Sequence, residues 1–231
     1  MKAVALLGGP QGQWPQNIKE IFKSAHEEKK LVFSSDRGTF ILKQWGLIPD
    51  VAVGDFDSIK NSEKKRTLDK IADVRFSNPV KDYTDSEQLF LTAFQDYQVE
   101  QLEIYGATGG RIDHLLVNLF AFLHSPLKSY LNKVKLIDKQ NLIYFCRAGI
   151  TEIPYKKEYP YIGFGNLTAI EDFEISGARY DLQEFSSNIP QMFSSNEFLS
   201  SKSPIRVSMK KGIVVVIYSR DEDRFFKIGS I

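Results

Sequence analysis

Cysteine is nearly absent: the 231 residues contain one, Cys146. No disulfide can close within the chain, and such usage fits a reducing compartment such as the cytoplasm. Cys146 sits in the apolar run "LIYFCRA", where a thiol packs as a small hydrophobe. Long apolar runs are also missing. Nothing approaches the roughly 20 apolar residues of a membrane span. The opening "MKAVALL" is too short for a signal peptide's core and cleavage site, and reads as a first strand. Excess charge of one sign is lacking, with 30 Lys and Arg against 29 Asp and Glu and a net charge of +1. That balance calls for neither nucleic acid nor a membrane surface as partner. "SEKKR" (62–66) and the lysines at 210–211 read as solvated faces. There is no internal repeat, no low-complexity tract, and no G-x-x-x-x-G-K-[ST] segment, which excludes a P-loop enzyme.

What is present is ordinary globular material, 42% hydrophobic and 26% charged, enough for a sizeable core. Up to about residue 125, strand-like and helix-like segments alternate. "KAVALLG", "KLVFSSD", "PDVAVGDFD", "IADVRFS" and "QLEIYG" read as strands. "NIKEIFKSAHEE", "RGTFILKQWG", a polar stretch near 62–71, "TDSEQLFLTAFQDY" and "RIDHLLVNLFAFLH" have helical spacing. Thr84 and Glu87 have capping-box spacing. The last helix is expected to turn Ile112, Leu115, Leu116, Leu119, Phe120 and Leu123 inward. Beyond about 140, short strands and turn residues take over: "NLIYFCRAG", "YPYIGFG", "NLTAI", "DFEISG", "IRVSMKKGIVVVIYS" and "RFFKIGS". Lys211-Gly212 reads as a hairpin turn. The expectation is an α/β domain over 1–140 with a mainly parallel, Rossmann-like sheet, then a smaller all-β sandwich domain over 141–231.

In an open parallel sheet, ligands bind outside the carboxyl ends of the strands. Polar clusters follow the expected strands: "GGPQGQ" (8–13), "SSDRG" (34–38), "GDFDS" (54–58), "KDYTD" (81–85) and "GATGGRIDH" (106–114). Asp55 and Asp57 alternate, so on an extended backbone both carboxylates point the same way, about 7 Å apart at Cα. At about 6 Å and an effective dielectric near 20 they repel by about 3 kcal/mol. With Asp82 and Asp85 they form an acidic nest that a cation would relieve. Hard oxygen donors without a Cys or His cluster point to Mg²⁺. "GATGGR" puts Gly109 and Gly110 at a helix entrance whose free N–H groups suit phosphate. Arg111 adds a two-pronged donor. Lys81 and Arg37 are further phosphate candidates, and His114 is a candidate acid, base or donor. Together these features imply phosphoryl or nucleotide chemistry.

The set "GDFDS", "KDYTD" and "GATGGRIDH", in this order and spacing, resembles the thiamin pyrophosphokinase family, with its G-D-x-D-S, D-x-T-D and G-G-R-x-D-H segments. "SSDRG" is similar to its A-D-x-G segment, and "SSNEF" (194–198) to its S-N-E segment. The resemblance implies transfer of a pyrophosphoryl group from ATP to the thiamin hydroxyl, giving thiamin diphosphate and AMP. It implies that Asp55, Asp57, Asp82 and Asp85 organise Mg²⁺ and the triphosphate. Gly109, Gly110, Arg111, Asp113, His114 and Lys81 would serve the phosphates, and Asp36, Ser195 and Asn196 the thiamin. It further implies a homodimer with sites at the subunit interface. A pyrophosphokinase for a pterin alcohol, a metal-dependent nucleotide-sugar glycosyltransferase and a non-catalytic nucleotide sensor stay open as alternatives.

Overall fold

The computed structural model describes residues 1–57, 61–77 and 83–222. The chain forms two compact units, Met1–Lys139 and the remainder from Gln140.

The first unit is built on six parallel strands: β1 (Lys2–Leu6), β2 (Leu31–Ser35), β3 (Val51–Gly54), β4 (Asp73–Phe76), β5 (Gln101–Tyr105) and β6 (Val134–Ile137). Their order in space is β6-β5-β1-β2-β3-β4. The chain therefore runs outward from β1 to β4, then restarts on the other side of β1 with β5. That reversal opens a crevice at the carboxyl ends of β1 and β5. Helices α1 (Ile18–Glu27), α2 (Asp36–Gln44), α3 (Asn61–Leu68), α4 (Asp85–Leu91) and α5 (Ile112–Phe120) fill the connections. Ile18, Phe22 and Ala25 of α1 recur at helical spacing and bury against Val4, Leu6, Val32 and Tyr105. Phe33 alternates with Val32 and takes the opposite face, where Tyr97 meets it edge-on at 5.4 Å. Fully buried side chains such as Phe22 and Phe90 each stabilise the unit by about 1.5–3 kcal/mol.

One expectation is corrected in this unit. The helix at 112–120 turns only part of its apolar stripe inward: Leu115, Leu119 and Leu123 are half-buried, whereas Ile112, Leu116 and Phe120 are 72%, 41% and 41% exposed. Asn118 is the buried side chain of α5, and its Nδ2 donates to Ala107 O at 3.0 Å. A polar side chain bonded to the loop before the helix thus takes the inward face that the apolar periodicity assigns to Ile112, Leu116 and Phe120.

The second unit is all-β, with β7 (Asn141–Ile153), β8 (Tyr161–Asn166), β9 (Ile170–Ser176), β10 (Leu182–Ser187), β11 (Gln191–Asn196) and β12 (Ile205–Ser219). Here the expected hairpin at Lys211-Gly212 is replaced by a bulge inside one long strand. β12 pairs with β7 on both sides of it, with a register shift between Met209 and Ile213. At Gly212 φ is +123°, and a Cβ would lie 2.9 Å from Ala169 O, so glycine permits the bend. The bend lets β12 pair with β9 through Arg206–Lys211 and with β8 through Val214–Ser219. β10 extends the first sheet and β11 the second. Phe193 of β11 meets Phe185 of β10 at 5.1 Å and Phe173 of β9 at 6.2 Å, which closes the two sheets into a sandwich. Cys146 is buried in β7, and burial pushes its thiol up to about 11, as inert packing requires. The expected strand "RFFKIGS" (224–230) lies outside the described residues.

Candidate active site

Three of the carboxylates meet. Asp36 opens α2 just after β2, Asp55 follows β3, and Asp85 opens α4. One oxygen from each lies within 4.8 Å of the others, and all three residues are partly buried. Parallel strand order brings them there, because β2 and β3 are neighbours and end at the same edge. Local backbone geometry does the rest. Phe56 adopts φ +54° and turns its N–H to Asp36 Oδ1 at 3.1 Å. A Cβ at position 54 would lie 2.1 Å from that same oxygen, so Gly54 is what allows Asp36 its place. Lys64 Nζ donates to the Asp55 carbonyl at 2.8 Å and holds the turn from α3. Ser77 Oγ donates to Asp85 Oδ1 at 2.5 Å. Thr84 and Glu87 close a capping box that fixes the first turn carrying Asp85.

Electrostatics show the cost of this arrangement. Burial, then the hydrogen bond and charge of Asp85, push the Asp36 carboxyl up to about 7. The Phe56 N–H opposes that rise without cancelling it. Below about pH 7 a proton is held where the carboxylates crowd, and a cation could replace it. The donors are all hard oxygens at partly buried positions, which fits Mg²⁺ better than a thiophilic metal.

The remaining expected residues fall elsewhere. Asp57 is exposed and is not a member of the group of three; its N–H donates to Asp55 Oδ1 at 3.0 Å. Lys81 and Asp82 lie outside the described residues. Gly109 and Gly110 take φ of +77° and +70° in the loop before α5, against Pro10 and Gln13 of the loop after β1. The two loops are joined by Gly9 N–H donating to Gly106 O at 3.0 Å, at the crevice where strand order reverses. Arg111 is exposed and grips Asp113 through two bonds, Nε to Oδ1 at 3.1 Å and Nη2 to Oδ2 at 2.5 Å. That pairing lowers the Asp113 carboxyl below its usual range. The backbone N–H of His114 also donates to Asp113 Oδ1, and its side chain is exposed. In the second unit, Ser195 borders an open cavity of about 400 Å³ with Tyr161, Ser194, Ser219 and Asp221. Asn196 is buried.

The family resemblance assigns Asp36 to thiamin, and its place beside Asp55 and Asp85 emerges only with the strand order. "SSDRG" carries the same signal as "GDFDS", a carboxylate straight after an apolar strand, and strand order was the missing fact.

A parallel sheet with clustered carboxylates and a glycine-rich helix entrance at its carboxyl edge defines a class, the open α/β proteins with a polar site at the strand ends. Comparison with known proteins narrows it. Residues 22–135 match the family described as thiamin pyrophosphokinase, catalytic domain, and residues 150–214 the thiamin pyrophosphokinase vitamin B1 binding domain. A thiamine pyrophosphokinase from Bacillus subtilis (strain 168) is 31% identical over 223 residues, covering 96% of this chain and 100% of the relative. A thiamin pyrophosphokinase family protein from Enterococcus faecalis superposes with a TM-score of 0.85 at 29% identity, covering 96% of this chain and 100% of its own. The thiamin pyrophosphokinase of Geobacillus thermodenitrificans gives 0.80 at 27%, covering 96% and 99%. The chain belongs to the thiamin pyrophosphokinase family.

Proposed function

We propose that this chain transfers the pyrophosphoryl group of ATP to the hydroxyl of thiamin, forming thiamin diphosphate and AMP. The observation that carries this reading is the convergence of Asp36, Asp55 and Asp85 at the sheet's carboxyl edge, in a chain matching both domains of the family. The pterin-alcohol, nucleotide-sugar and sensor alternatives are not favoured by those matches.

Asp36, Asp55 and Asp85 would hold Mg²⁺, with Asp57 and Asp82 completing the acidic set around the triphosphate. The bound ion would supply charge neutralisation at the phosphate oxygens. In the reaction the thiamin oxygen forms a bond to the β-phosphorus and releases its proton to solvent, while the bond from that phosphorus to the α–β bridging oxygen breaks, and AMP leaves with that oxygen. Gly109 and Gly110 would offer backbone N–H groups to the phosphates, joined by Lys81 and His114. Arg111 would exchange Asp113 for phosphate oxygens, since both partners present two acceptors to the same planar fork. On this reading residues 1–140 bind ATP and Mg²⁺, and 141–231 bind thiamin through the cavity beside Ser195 and Asn196.

A homodimer is part of the proposal. Ile112, Leu116 and Phe120 form an exposed apolar stripe on a nine-residue helix, and a second copy meeting it about a twofold axis would cover both stripes at once. No helix among the described residues is long and apolar enough to cross a membrane. A cytoplasmic location fits the single buried cysteine.

The test is incubation with thiamin, ATP and Mg²⁺, with products separated by chromatography. Equal amounts of AMP and thiamin diphosphate are expected, and none without Mg²⁺. Formation of ADP, or thiamin left unchanged while a pterin alcohol is consumed, would sink the assignment.

A further inference from the structure

Strand β11 does not pair evenly with β8. Phe193 faces Phe164 and Asn196 faces Ile162, so three steps along β11 span two along β8. The extra residue is a bulge, and Ser195 within it has φ +59°, a left-handed conformation that serine resists. Even pairing would relieve that strain and would turn the side chains around the bulge to the other face. Something must hold the bulge against this slip.

Asn196 has the required contacts. It is 3% exposed, and its carboxamide is engaged on both atoms. Oδ1 accepts from Tyr180 N–H at 3.0 Å and from Glu197 N–H at 2.9 Å, and Nδ2 donates to Tyr180 O at 2.7 Å. The turn at Tyr180 follows β9, whose last residue Ser176 pairs with Arg206 of β12, and Arg179 N–H on Glu197 O at 2.9 Å and the Ala178–Phe198 bridge add further ties to the segment after Asn196. The carboxamide therefore fastens the end of the bulge to a second, fixed segment. Ser195 beside it lines the cavity formed with Tyr161, Ser194, Ser219 and Asp221.

We infer that Asn196 is a positioning residue: it does not read thiamin itself, but locks the β11 bulge so that Ser195 stands in the wall of the thiamin-binding cavity. This rests on the reading above that the cavity receives thiamin. A side chain spent on three internal hydrogen bonds has little left for a ligand, whereas Ser195 borders open space.

The experiment is a double-mutant cycle on the full-length protein, with KM for thiamin, KM for ATP, kcat and Tm measured for each member. Asn196→Ala should raise KM for thiamin about tenfold and leave KM for ATP within about twofold, the size of one lost buried hydrogen bond. Ser195→Gly removes the hydroxyl and welcomes a positive φ. It should raise KM for thiamin comparably while holding or raising Tm, a split that a merely structural role would not produce. The double variant should be no worse toward thiamin than the worse single variant, because Asn196 then has no hydroxyl left to place. If the two effects multiply, Asn196 acts on thiamin independently of Ser195 and the inference is overturned. If Ser195→Gly leaves KM for thiamin unchanged, the cavity is not the thiamin site; that reading and this inference fall together, while AMP and thiamin diphosphate formation still stands. Should Asn196→Ala not fold, Asn196→Asp keeps both acceptances and breaks only the donation to Tyr180 O. The same non-multiplying pattern is expected of it, and a multiplying one overturns the inference.

Discussion

Asp36 shows how one residue reports on the whole carboxylate cluster. Its carboxyl is pushed up to about 7 by burial and by Asp85, whereas an unfolded chain ionises aspartate near 4. The folded state thus holds the proton more tightly. Its stabilising contribution is fully present below about pH 4 and is lost as pH rises toward 7. Asp36→Asn keeps an oxygen for the Phe56 N–H and places an amide donor where the proton stood. The metal-free wild type should therefore lose Tm relative to Asp36→Asn as pH is raised from 4 to 7; parallel melting curves would mean that Asp36 ionises in the ordinary range. A second prediction concerns Asp55. Asp55→Asn should abolish turnover yet leave metal-free Tm unchanged or slightly raised, since it removes one negative charge from three crowded carboxylates. A large fall in metal-free Tm would make Asp55 a structural cap. Arg111 supplies a third prediction. Lysine keeps the charge and loses the fork that now grips Asp113 with two bonds, so Arg111→Lys should lower kcat/KM at least about tenfold. Wild-type kinetics would leave Arg111 a surface partner of Asp113 and nothing more.

At the scale of elements, helix α4 links fold to site because its first residue is a cluster carboxylate. Thr84 Oγ1 accepts from Glu87 N–H at 3.3 Å, and Glu87 Oε2 accepts from Thr84 N–H at 2.8 Å. Thr84→Ala should cost about 1 kcal/mol of stability. It should also weaken Mn²⁺ binding, measured by the EPR signal of the free ion, because Asp85 loses its fixed first turn. Unchanged Mn²⁺ binding with a lowered Tm would confine the cap to stability. This capping box is visible in the sequence because its chemistry is local, a threonine and a glutamate three apart. The strands of the α/β unit are visible for a similar reason, as short apolar runs ending in polar clusters. What escapes sequence reading depends on contacts distant along the chain. The inward-facing Asn118 of α5 bonds to Ala107, so the stripe of Ile112, Leu116 and Phe120 reads as core and lies outside. The bulge at Gly212 depends on the approach of Ala169, so a bent strand reads as a hairpin. Strands β10 and β11 escape too, being rich in Ser, Gln and Glu, with no clean alternation of buried positions. Asp36 joins Asp55 and Asp85 only once the order of β2, β3 and β4 is known.

The whole molecule is where the proposed dimer is decided. The family resemblance implies that each site combines Asp55 of one chain with the thiamin-binding segment around Asn196 of its partner. A twofold dimer then carries two equivalent composite sites. Asp55→Asn and Asn196→Arg should each be inactive, the first for want of a metal ligand and the second because a charged, longer side chain cannot occupy a buried position bonded to Tyr180. Mixed in equal amounts and allowed to exchange subunits at random, they give mixed dimers as half of the population. In each mixed dimer one site collects both lesions and the other neither. Activity should therefore return to roughly a quarter of the wild-type level, by counting sites under that symmetry. A site built within one chain keeps a lesion in every case, and mixing restores nothing. Differently tagged subunits, co-purified after mixing, establish that exchange has occurred. Exchange without recovered activity would reject the shared site while leaving the reaction itself in place, and failure of the tagged chains to associate at all would reject the dimer.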